Sequence, residues 1–267
     1  MKKLSLDDIQ KISLDILIYF DSFCKRNNIN YSLGGGTLIG AVRHKGFIPW
    51  DDDVDVYMLK DEYDKFISLW SKESHSRYKL SAAESIDGFM PGEMTKIFDN
   101  KTLLTDIKGR KSNLFIDIFI FDGVPSNPKI LYKEMKKHRR IKLRFSSCRK
   151  RWYHNGKNKI LNYIFSNLSI WLFDKMMTNL ARVRSNNPIE KSELIGLFLS
   201  DYGNWKKSYM KKEYFSSTIL ADFEGYKFPI MNGYHEHLMM YYGDYMKYPP
   251  LDQQKPSHSL EAYLLND

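Results

Sequence analysis

The chain has 267 residues, of which 43% are hydrophobic and 27% charged, and its formal net charge is +9 at pH 7. This composition is typical of a soluble globular protein, and it excludes disorder over most of the chain. The two cysteines are too few for a disulfide framework or a structural zinc site, and they favour a reducing compartment. Acidic residues interrupt the N-terminal apolar residues, and no apolar run reaches about 18 residues, so we expect neither a signal peptide nor a spanning helix.

The first half of the chain predicts helices interleaved with strands. Ser5, with Asp8 three residues later, resembles a capping box, and the apolar spacing that follows predicts a helix ending near Asn27. Alternating apolar and polar residues over Val54–Met58 predict a strand, and the nearly continuous apolar run Leu114–Phe121 predicts a buried central strand. The other predicted elements are a strand at Tyr31–Leu33, a helix at Thr37–His44, a helix at Asp61–His75 and a strand at Met94–Phe98.

The second half of the chain changes in character from about Asn127. Lys129–Arg151 contains eleven Lys or Arg residues and one acid, a local balance of +10 that accounts for the whole positive excess. The pattern there is helical, and an apolar helix follows at 160–180. From Phe223 onward, Gly, Pro and Tyr indicate loops and short elements. The order of the elements predicts an α+β (mixed α/β) fold.

A glycine segment lies between a predicted strand and a predicted helix. It consists of Gly34, Gly35 and Gly36, followed by Thr37. Glycines let the backbone approach a ligand closely, and their N–H groups together with a helix N-terminus can form an anion site. A tight structural turn is an equally good interpretation of the pattern.

Three aspartates indicate a metal site. Asp53 and Asp55 are two residues apart on a strand, so their carboxylates project from one face, and such oxygen ligands suit Mg²⁺ bound together with substrate phosphates. The alternative is an acidic turn before the strand. Asp117 interrupts the buried apolar run and therefore needs a partner, which can be a metal, a Lys or Arg, or a helix N-terminus. On a strand beside Asp53 and Asp55, it would complete a three-carboxylate site.

Taken together, these features describe a nucleotidyltransferase-like site on a small mixed sheet flanked by helices. Phosphoryl transfer mainly requires positioning and the neutralisation of phosphate charge. Nearby cationic residues could neutralise the phosphates, and among them Arg43 can bind phosphate with two parallel hydrogen bonds. These residues are Arg43, His44, Lys45 and Lys96.

The continuous block Leu33–Val56 strongly resembles the LicD family of phosphocholine transferases and related enzymes, which includes the fukutin-related branch. The similarity continues in Phe115–Phe119 and in the Asp122-Gly123 pair. It reappears near the C-terminus in Phe223-Glu224-Gly225, Tyr242–Met246, Pro249-Pro250 and His258.

The resemblance implies a nucleotidyltransferase-fold core and a set of site residues. By motif position, Asp53, Asp55 and Asp117 would be the catalytic residues and would hold Mg²⁺, with Mn²⁺ as an alternative. Asp117 could also act as general base toward the acceptor hydroxyl. Asp51 and Asp52 would orient the ligands or hold metal-bound water. Donor-binding residues would be Gly35, Gly36 and Thr37, together with Arg43 and Lys96.

The same resemblance implies the substrates. The donor would be CDP-linked, with CDP-choline first, and the acceptor a cell-surface glycan of lipopolysaccharide or teichoic-acid type, or its lipid-linked precursor. Residues 1–125 would form the catalytic core and residues 126–267 a helical, basic acceptor-binding region. We expect no nucleic-acid partner and a cytoplasmic protein, with peripheral contact at the inner membrane face as an option. A choline group would need aromatic faces, for which the candidates are Trp50, Tyr57, Trp152, Tyr241, Tyr242 and Tyr248.

Two alternatives remain open from the sequence. One keeps the fold but transfers a nucleoside monophosphate and releases pyrophosphate, where the first reaction releases CMP. The other is a non-enzymatic protein that binds an anionic polymer through the basic stretch, with binding that weakens steeply with salt.

Overall fold

The computed structural model describes residues 1–88, 91–105, 111–154, 158–199, 204–256 and 261–265. The helices are α1 (Leu6–Arg26), α2 (Gly35–Ile39), α3 (Lys60–Trp70), α4 (Pro128–His154), α5 (Lys159–Asn186) and α6 (Tyr234–Tyr242). The strands are β1 (Lys2–Lys3), β2 (Ser32–Leu33), β3 (Asp55–Leu59), β4 (Tyr78–Ser81), β5 (Thr95–Asp99), β6 (Thr102–Thr105), β7 (Lys111–Ser112), β8 (Phe115–Val124), β9 (Leu194–Gly196), β10 (Tyr209–Lys211), β11 (Thr218–Phe223), β12 (Tyr226–Met231) and β13 (Glu261–Leu264). The predicted α+β fold is confirmed.

The chain divides into two compact units. The first comprises Met1–Ser81, Thr95–Phe119 and Glu213–Asp267, and the second comprises Ala82–Met94 and Ile120–Lys212. These units differ in their bounds from the catalytic and acceptor-binding regions expected on either side of residue 125. That functional division stays a prediction.

In the first unit, five strands form a sheet in the order β4-β5-β8-β3-β2. β5 runs antiparallel to β8 with Lys96 opposite Asp117, and β3 runs antiparallel to β2 with Val56 opposite Leu33. The amide of Asp117 donates to the carbonyl of Val54 at 2.8 Å. β3, which begins at Asp55, and β8, which carries Asp117, are therefore direct neighbours. The prediction that Asp53 shares the strand with Asp55 was wrong, because the strand begins only at Asp55 and Asp53 lies in the segment before it.

Helix α1 begins at the predicted capping box. The Ser5 hydroxyl accepts from the Asp8 amide at 3.1 Å, and the Asp8 carboxylate accepts from the Ser5 amide at 3.1 Å, so two otherwise unpaired N–H groups are satisfied. The apolar face of α1 packs against α3 through Phe20, Phe23 and Phe66, whose rings make edge contacts at 5.5 Å. This aromatic core stabilises one side of the sheet.

Two further β structures complete the first unit. One sheet has the strand order β1-β13-β6-β7, and β11 pairs with β12 in a hairpin. No sequence pattern predicts β11, and β12 lies in the segment after Phe223 for which loops and short elements are predicted. The hairpin turns through Glu224 and Gly225, which both have positive φ, as two-residue hairpin loops require. Its strand β12 contacts β2, where the Met231 amide donates to the Ser32 hydroxyl at 2.8 Å.

The second unit is built on the helices α4 and α5. Phe145 of α4 packs with Leu172, Phe173 and Met176 of α5 in an apolar cluster. The second half of β8 continues through β9 to β10 in an antiparallel sheet. Within the described ranges, no helix combines the length and the apolar character needed to cross a bilayer.

Candidate active site

The glycine segment makes a close approach to Asp55. Gly35 has φ +48°, a conformation that side chains disfavour, and a Cβ atom there would lie 2.0 Å from the Asp55 Oδ2 atom. The Gly35 amide donates to the Tyr57 hydroxyl at 3.0 Å. The Thr37 hydroxyl accepts from the Asp55 amide at 2.9 Å. Gly35 and Thr37 thus position Asp55, and their expected contact with donor phosphates stays a prediction.

The predicted helix over this region is present in two parts. α2 is followed by a π-helical turn, Gly40–His44, which ends at Lys45 in the left-handed conformation with φ 60°. The Lys45 carbonyl accepts from the Glu224 amide at 2.9 Å, and Glu224 accepts from the Phe47 amide at 3.0 Å. The tip of the β11–β12 hairpin therefore fixes the segment that leads into the aspartates.

Asp51, Asp52 and Asp53 form a carboxylate group just before β3. One oxygen of each lies within 4.8 Å of the others, which is a spacing that a single cation can bridge. The side-chain amide of Gln10 donates to the Asp51 carbonyl at 2.9 Å, so α1 holds this segment. Asp51 packs on Gly36, where a Cβ atom would lie 2.5 Å from its Oδ2 atom. Asp51 and Asp52 thus belong to the cluster itself.

The five carboxylates of the site share one electrostatic environment. Burial raises the pKa of Asp55 well above its usual range, and the charges of Asp53, Asp117 and Asp51 add to this effect. Burial, together with Asp53 and Asp52, raises the pKa of Asp51 to about 8. Asp53 and Asp117 thus lie close enough to Asp55 for their charges to act on it, but the carboxylate group whose oxygens approach within 4.8 Å comprises Asp51, Asp52 and Asp53, so the predicted ligand set Asp53, Asp55 and Asp117 stays a prediction. The excess negative charge and the all-oxygen donor set fit a hard divalent cation.

Lys96 is the cationic partner of Asp117. The two residues face each other across β5 and β8, and the Lys96 ammonium group contacts the Asp117 carboxylate, with both side chains less than one-tenth exposed. The ammonium also lies 3.4 Å from the centre of the Phe115 ring. Of the partners considered for Asp117, the structure supplies a lysine. The predicted donor-binding role of Lys96 is untested.

Arg43 binds the C-terminal segment of the first unit. Its Nη1 atom donates to the carbonyls of Tyr245 at 2.6 Å and Lys247 at 3.0 Å, and its guanidinium lies 4.8 Å from the Tyr248 ring centre. Its Nε donates to His44 at 2.9 Å. These contacts leave the expected phosphate-binding role a prediction, but they give Arg43 a structural function that the sequence did not reveal.

Several aromatic candidates lie at or near the carboxylates. Tyr242 is 45% exposed as a residue. Its partial burial raises its pKa, and the charges of Asp55, Tyr241, Asp51 and Asp53 add to this effect. Its ring lies 5.2 Å from that of Tyr241, centre to centre. A second pair, Trp50 and Tyr248, has ring centres 6.1 Å apart. The side chain of Trp152 and the residue His258 lie outside the described residues.

The second unit contains a basic cleft of about 760 Å³ between α4 and α5. Arg182 of α5 pairs with Glu134 of α4, the acid of the basic stretch, and the Lys136 ammonium lies 5.3 Å from the Tyr132 ring centre. An anionic ligand of the cleft would thus meet mostly positive charge. The lining residues are Tyr132, Lys133, Glu134, Lys136, Lys137, Arg140 and Arg182.

Comparison with known proteins identifies relatives of this chain. Residues 28–155 match the family described as "LicD/FKTN/FKRP, nucleotidyltransferase domain". The chain is 59% identical over 265 residues to the lipopolysaccharide cholinephosphotransferase LicD of Haemophilus influenzae strain Rd, covering 99% of this chain and all of that protein. An uncharacterized protein of Rickettsia typhi is 34% identical over 79 residues, which cover 30% of this chain and 23% of that protein. An uncharacterized protein of Rickettsia prowazekii is 41% identical over 61 residues, which cover 23% of this chain and 20% of that protein.

Proposed function

The chain belongs to the LicD family and is a transferase, and we propose that it moves phosphocholine from CDP-choline to a hydroxyl group of lipopolysaccharide or its precursor. The full-length similarity to a lipopolysaccharide cholinephosphotransferase is the observation that carries this proposal. A teichoic-acid acceptor is the less supported alternative. Family membership disfavours the non-enzymatic interpretation of the basic stretch.

A divalent cation, Mg²⁺ or alternatively Mn²⁺, is part of the proposal. Asp53 would hold it, because this residue belongs both to the predicted ligand set and to the carboxylate group that precedes β3. Asp55 and Asp117 would complete the set, with Asp51 and Asp52 beside them. When bound, the cation would neutralise the charge that develops on the donor diphosphate.

The residues of the chain have distinct proposed tasks. Asp117 would accept the proton of the acceptor hydroxyl, because the contact with Lys96 stabilises its charged form. Gly35 lacks the Cβ that would collide with the Asp55 carboxylate, so it leaves this carboxylate in the position proposed for a cation ligand. The choline ammonium group would contact the faces of Tyr241 and Tyr242, because Tyr242 is a partly exposed residue on which the charges of Asp55, Asp51 and Asp53 act.

The basic cleft of the second unit is the proposed binding site for the acceptor. Lipopolysaccharide carries anionic groups, and four of the cleft residues are Lys or Arg on α4. A cytoplasmic location is also proposed, and the free state of Cys24 and Cys148 is in keeping with a reducing compartment.

The decisive experiment follows product release. Purified protein is incubated with Mg²⁺ and either a panel of CDP-linked donors or CTP, with and without lipopolysaccharide that lacks phosphocholine, and CMP and pyrophosphate are measured. We expect acceptor-dependent CMP release with CDP-choline, which chelation of Mg²⁺ and Asp53→Asn both abolish. The matched control is Asp7→Asn, an exposed aspartate of α1. Pyrophosphate release from CTP, or full turnover with excess chelator, would refute the proposal.

A further inference from the structure

The first half of α5 exposes a stripe of large apolar side chains. Ile160 is 74% exposed, Tyr163 73% and Trp171 53%, while Ile164 and Ile170 are about half exposed. In a helix, residues separated by three, four or seven positions lie on one face, so Ile160, Tyr163, Ile164 and Trp171 form a continuous surface. We name Ile160, Tyr163, Ile164, Ile170 and Trp171 the apolar stripe. Such a concentration on a surface indicates a binding function.

The apolar stripe is not the core-facing side of α5. The residues that pack in the second unit are Leu172, Phe173, Met176, Leu180 and Val183, which are all less than one-tenth exposed. At about 100° per residue, these residues lie on the side of the helix opposite to Ile160 and Trp171. The folding of the second unit therefore does not account for the stripe, and its side chains are available to a ligand outside the chain.

Cationic side chains border the apolar stripe. Lys150 and Arg151 end the basic stretch on α4, and Lys159 begins α5, so all three exposed cations lie at the same end of the helical hairpin as Ile160. Farther along α5, the Lys175 ammonium lies 5.6 Å from the Trp171 ring centre. One exposed acid, Asp174, is next to it. The border of the stripe is thus strongly positive.

We propose that the α4–α5 hairpin docks on an anionic lipid bilayer, with the apolar stripe at the boundary between headgroups and acyl chains. Ile side chains would enter the acyl region, while Tyr163 and Trp171 would lie at headgroup level, where amphipathic rings are favoured. Lys150, Arg151 and Lys159 would contact anionic headgroups, which attract Lys and Arg side chains near the bilayer surface.

Charge favours a bilayer over a second copy of the chain as the occupant. A two-fold dimer brings the same patch of each subunit together, so this surface would place two basic stretches of local charge +10 close to each other. Like charges across an interface oppose association, whereas anionic lipid complements them. The proposal concerns the second unit alone, and it holds whichever phospho-group the enzyme transfers.

The test is vesicle flotation of the full chain. Vesicles of phosphatidylcholine with about one-third phosphatidylglycerol are compared with pure phosphatidylcholine vesicles, at low and high salt. We expect binding to the anionic vesicles that the combined Ile160→Gln, Tyr163→Gln and Ile164→Gln variant lowers about tenfold or more. Lys150→Glu with Lys159→Glu should lower binding and its salt dependence.

Brominated lipid should quench the tryptophan fluorescence of the wild type more than that of Trp171→Phe.

Matched controls separate the hairpin from general surface properties. Leu251→Gln changes an apolar side chain that is 84% exposed in the first unit, and Lys72→Glu changes an exposed lysine there. Both should bind vesicles like the wild type. The proposal is overturned if the wild type does not float with anionic vesicles, if the glutamine variant floats equally well, or if the stripe instead mediates a dimer that this variant loses. The stripe variants should release CMP at the wild-type rate with a soluble acceptor fragment. A change in vesicle binding without a change in this rate separates the docking proposal from the catalytic one.

Discussion

At the scale of single residues, Gly35 and Asp55 depend on each other. The Asp55 carboxylate occupies the space in which any other residue at position 35 would place its Cβ, and the φ of +48° disfavours a side chain independently. We expect Gly35→Ala to displace Asp55 and to lower the rate of CMP release about 100-fold, because small misplacements of catalytic groups have effects of that size. Steady-state kinetics with saturating CDP-choline measures this change.

Gly225→Ala is the control for the backbone effect. Gly225 also has a positive φ, +80°, but nothing lies within 4 Å of the position that its Cβ would take. This variant should lose about 1 kcal/mol of stability and keep its activity. Equal losses of activity in both variants would show that strain, and not the contact with Asp55, is responsible.

The buried Lys96–Asp117 pair should make a structural contribution that unfolding measures. Removal of one partner from a buried ion pair leaves the other charge without compensation, so Lys96→Met should lower the free energy of unfolding by about 3–5 kcal/mol. The double variant Lys96→Met with Asp117→Asn should recover most of that loss. Urea unfolding measures both. Lys79→Met, at an exposed lysine on neighbouring β4, is the control, and an unchanged stability of Lys96→Met would contradict the pairing.

The sequence predicted the site better in its placement than in its detail. The alternation around Val54 and Val56 predicted a strand that also carries Asp53, whereas β3 begins at Asp55. The acid in a buried run drew attention to Asp117, which lies on the central strand β8 as expected, while its catalytic role stays a prediction. The sequence left Asp51 and Asp52 in a secondary role, because the conformation of the segment before a strand is set by contacts such as that of Gln10 with Asp51. Pairing across strands, which brings Lys96 to Asp117, is likewise not encoded locally.

At the scale of elements, local signals predicted α1 and the long helices well, and they failed for the β11–β12 hairpin. A capping box and an apolar periodicity are complete within a few residues, so Ser5 and Asp8 sufficed for the start of α1. The hairpin carries a short Glu224-Gly225 turn, but its strands owe their stability to packing against β2. Propensity alone does not report such packing.

Helix α4 contains a buried histidine that should make stability depend on pH. Burial of His138, together with the charges of Lys142 and Arg184, lowers its pKa to about 3, and neither ring nitrogen has a hydrogen-bond partner among the described residues. The unfolded chain binds a proton below about pH 6.5 and the folded chain does not, so stability falls as pH drops from about 6.5 toward 3. Between pH 7.5 and 5.5 we expect His138 alone to account for a loss of about 1–1.5 kcal/mol in the free energy of unfolding.

Replacement of His138 tests this assignment. His138→Leu keeps an apolar contact with Phe198 and removes the titrating group, so its unfolding midpoint should fall less between pH 7.5 and 5.5 than that of the wild type. Burial also lowers the pKa of His237 in the first unit, to about 4, so part of the pH dependence should persist. His235→Leu, at an exposed histidine, should behave like the wild type. Identical pH profiles for His138→Leu and the wild type would contradict the assignment.

At the scale of the whole molecule, the positive charge is concentrated in one stretch. The chain carries +9, and Lys129–Arg151 alone carries +10, so the rest of the molecule is close to neutral. In the proposed function, the basic cleft would attract an anionic acceptor at long range and hold it at short range, whereas the donor would bind at the carboxylates of the first unit. Acceptor and donor kinetics should therefore respond differently to the loss of this charge.

Charge reversal in the cleft tests this separation. The combined variant Lys136→Glu, Lys137→Glu and Arg140→Glu should raise the KM for lipopolysaccharide about tenfold at low salt and leave acceptor-independent hydrolysis of CDP-choline unchanged. The effect should shrink near 1 M salt, where charges are screened beyond about 3 Å.

A second combined variant changes the net charge equally but lies in the first unit: Lys11→Glu, Lys72→Glu and Lys79→Glu, all at exposed lysines. Its KM should change less than about twofold, because the cleft keeps its local charge. An equal rise in both variants would mean that net charge steers the acceptor, and an unchanged KM in the first would remove the cleft as the acceptor site.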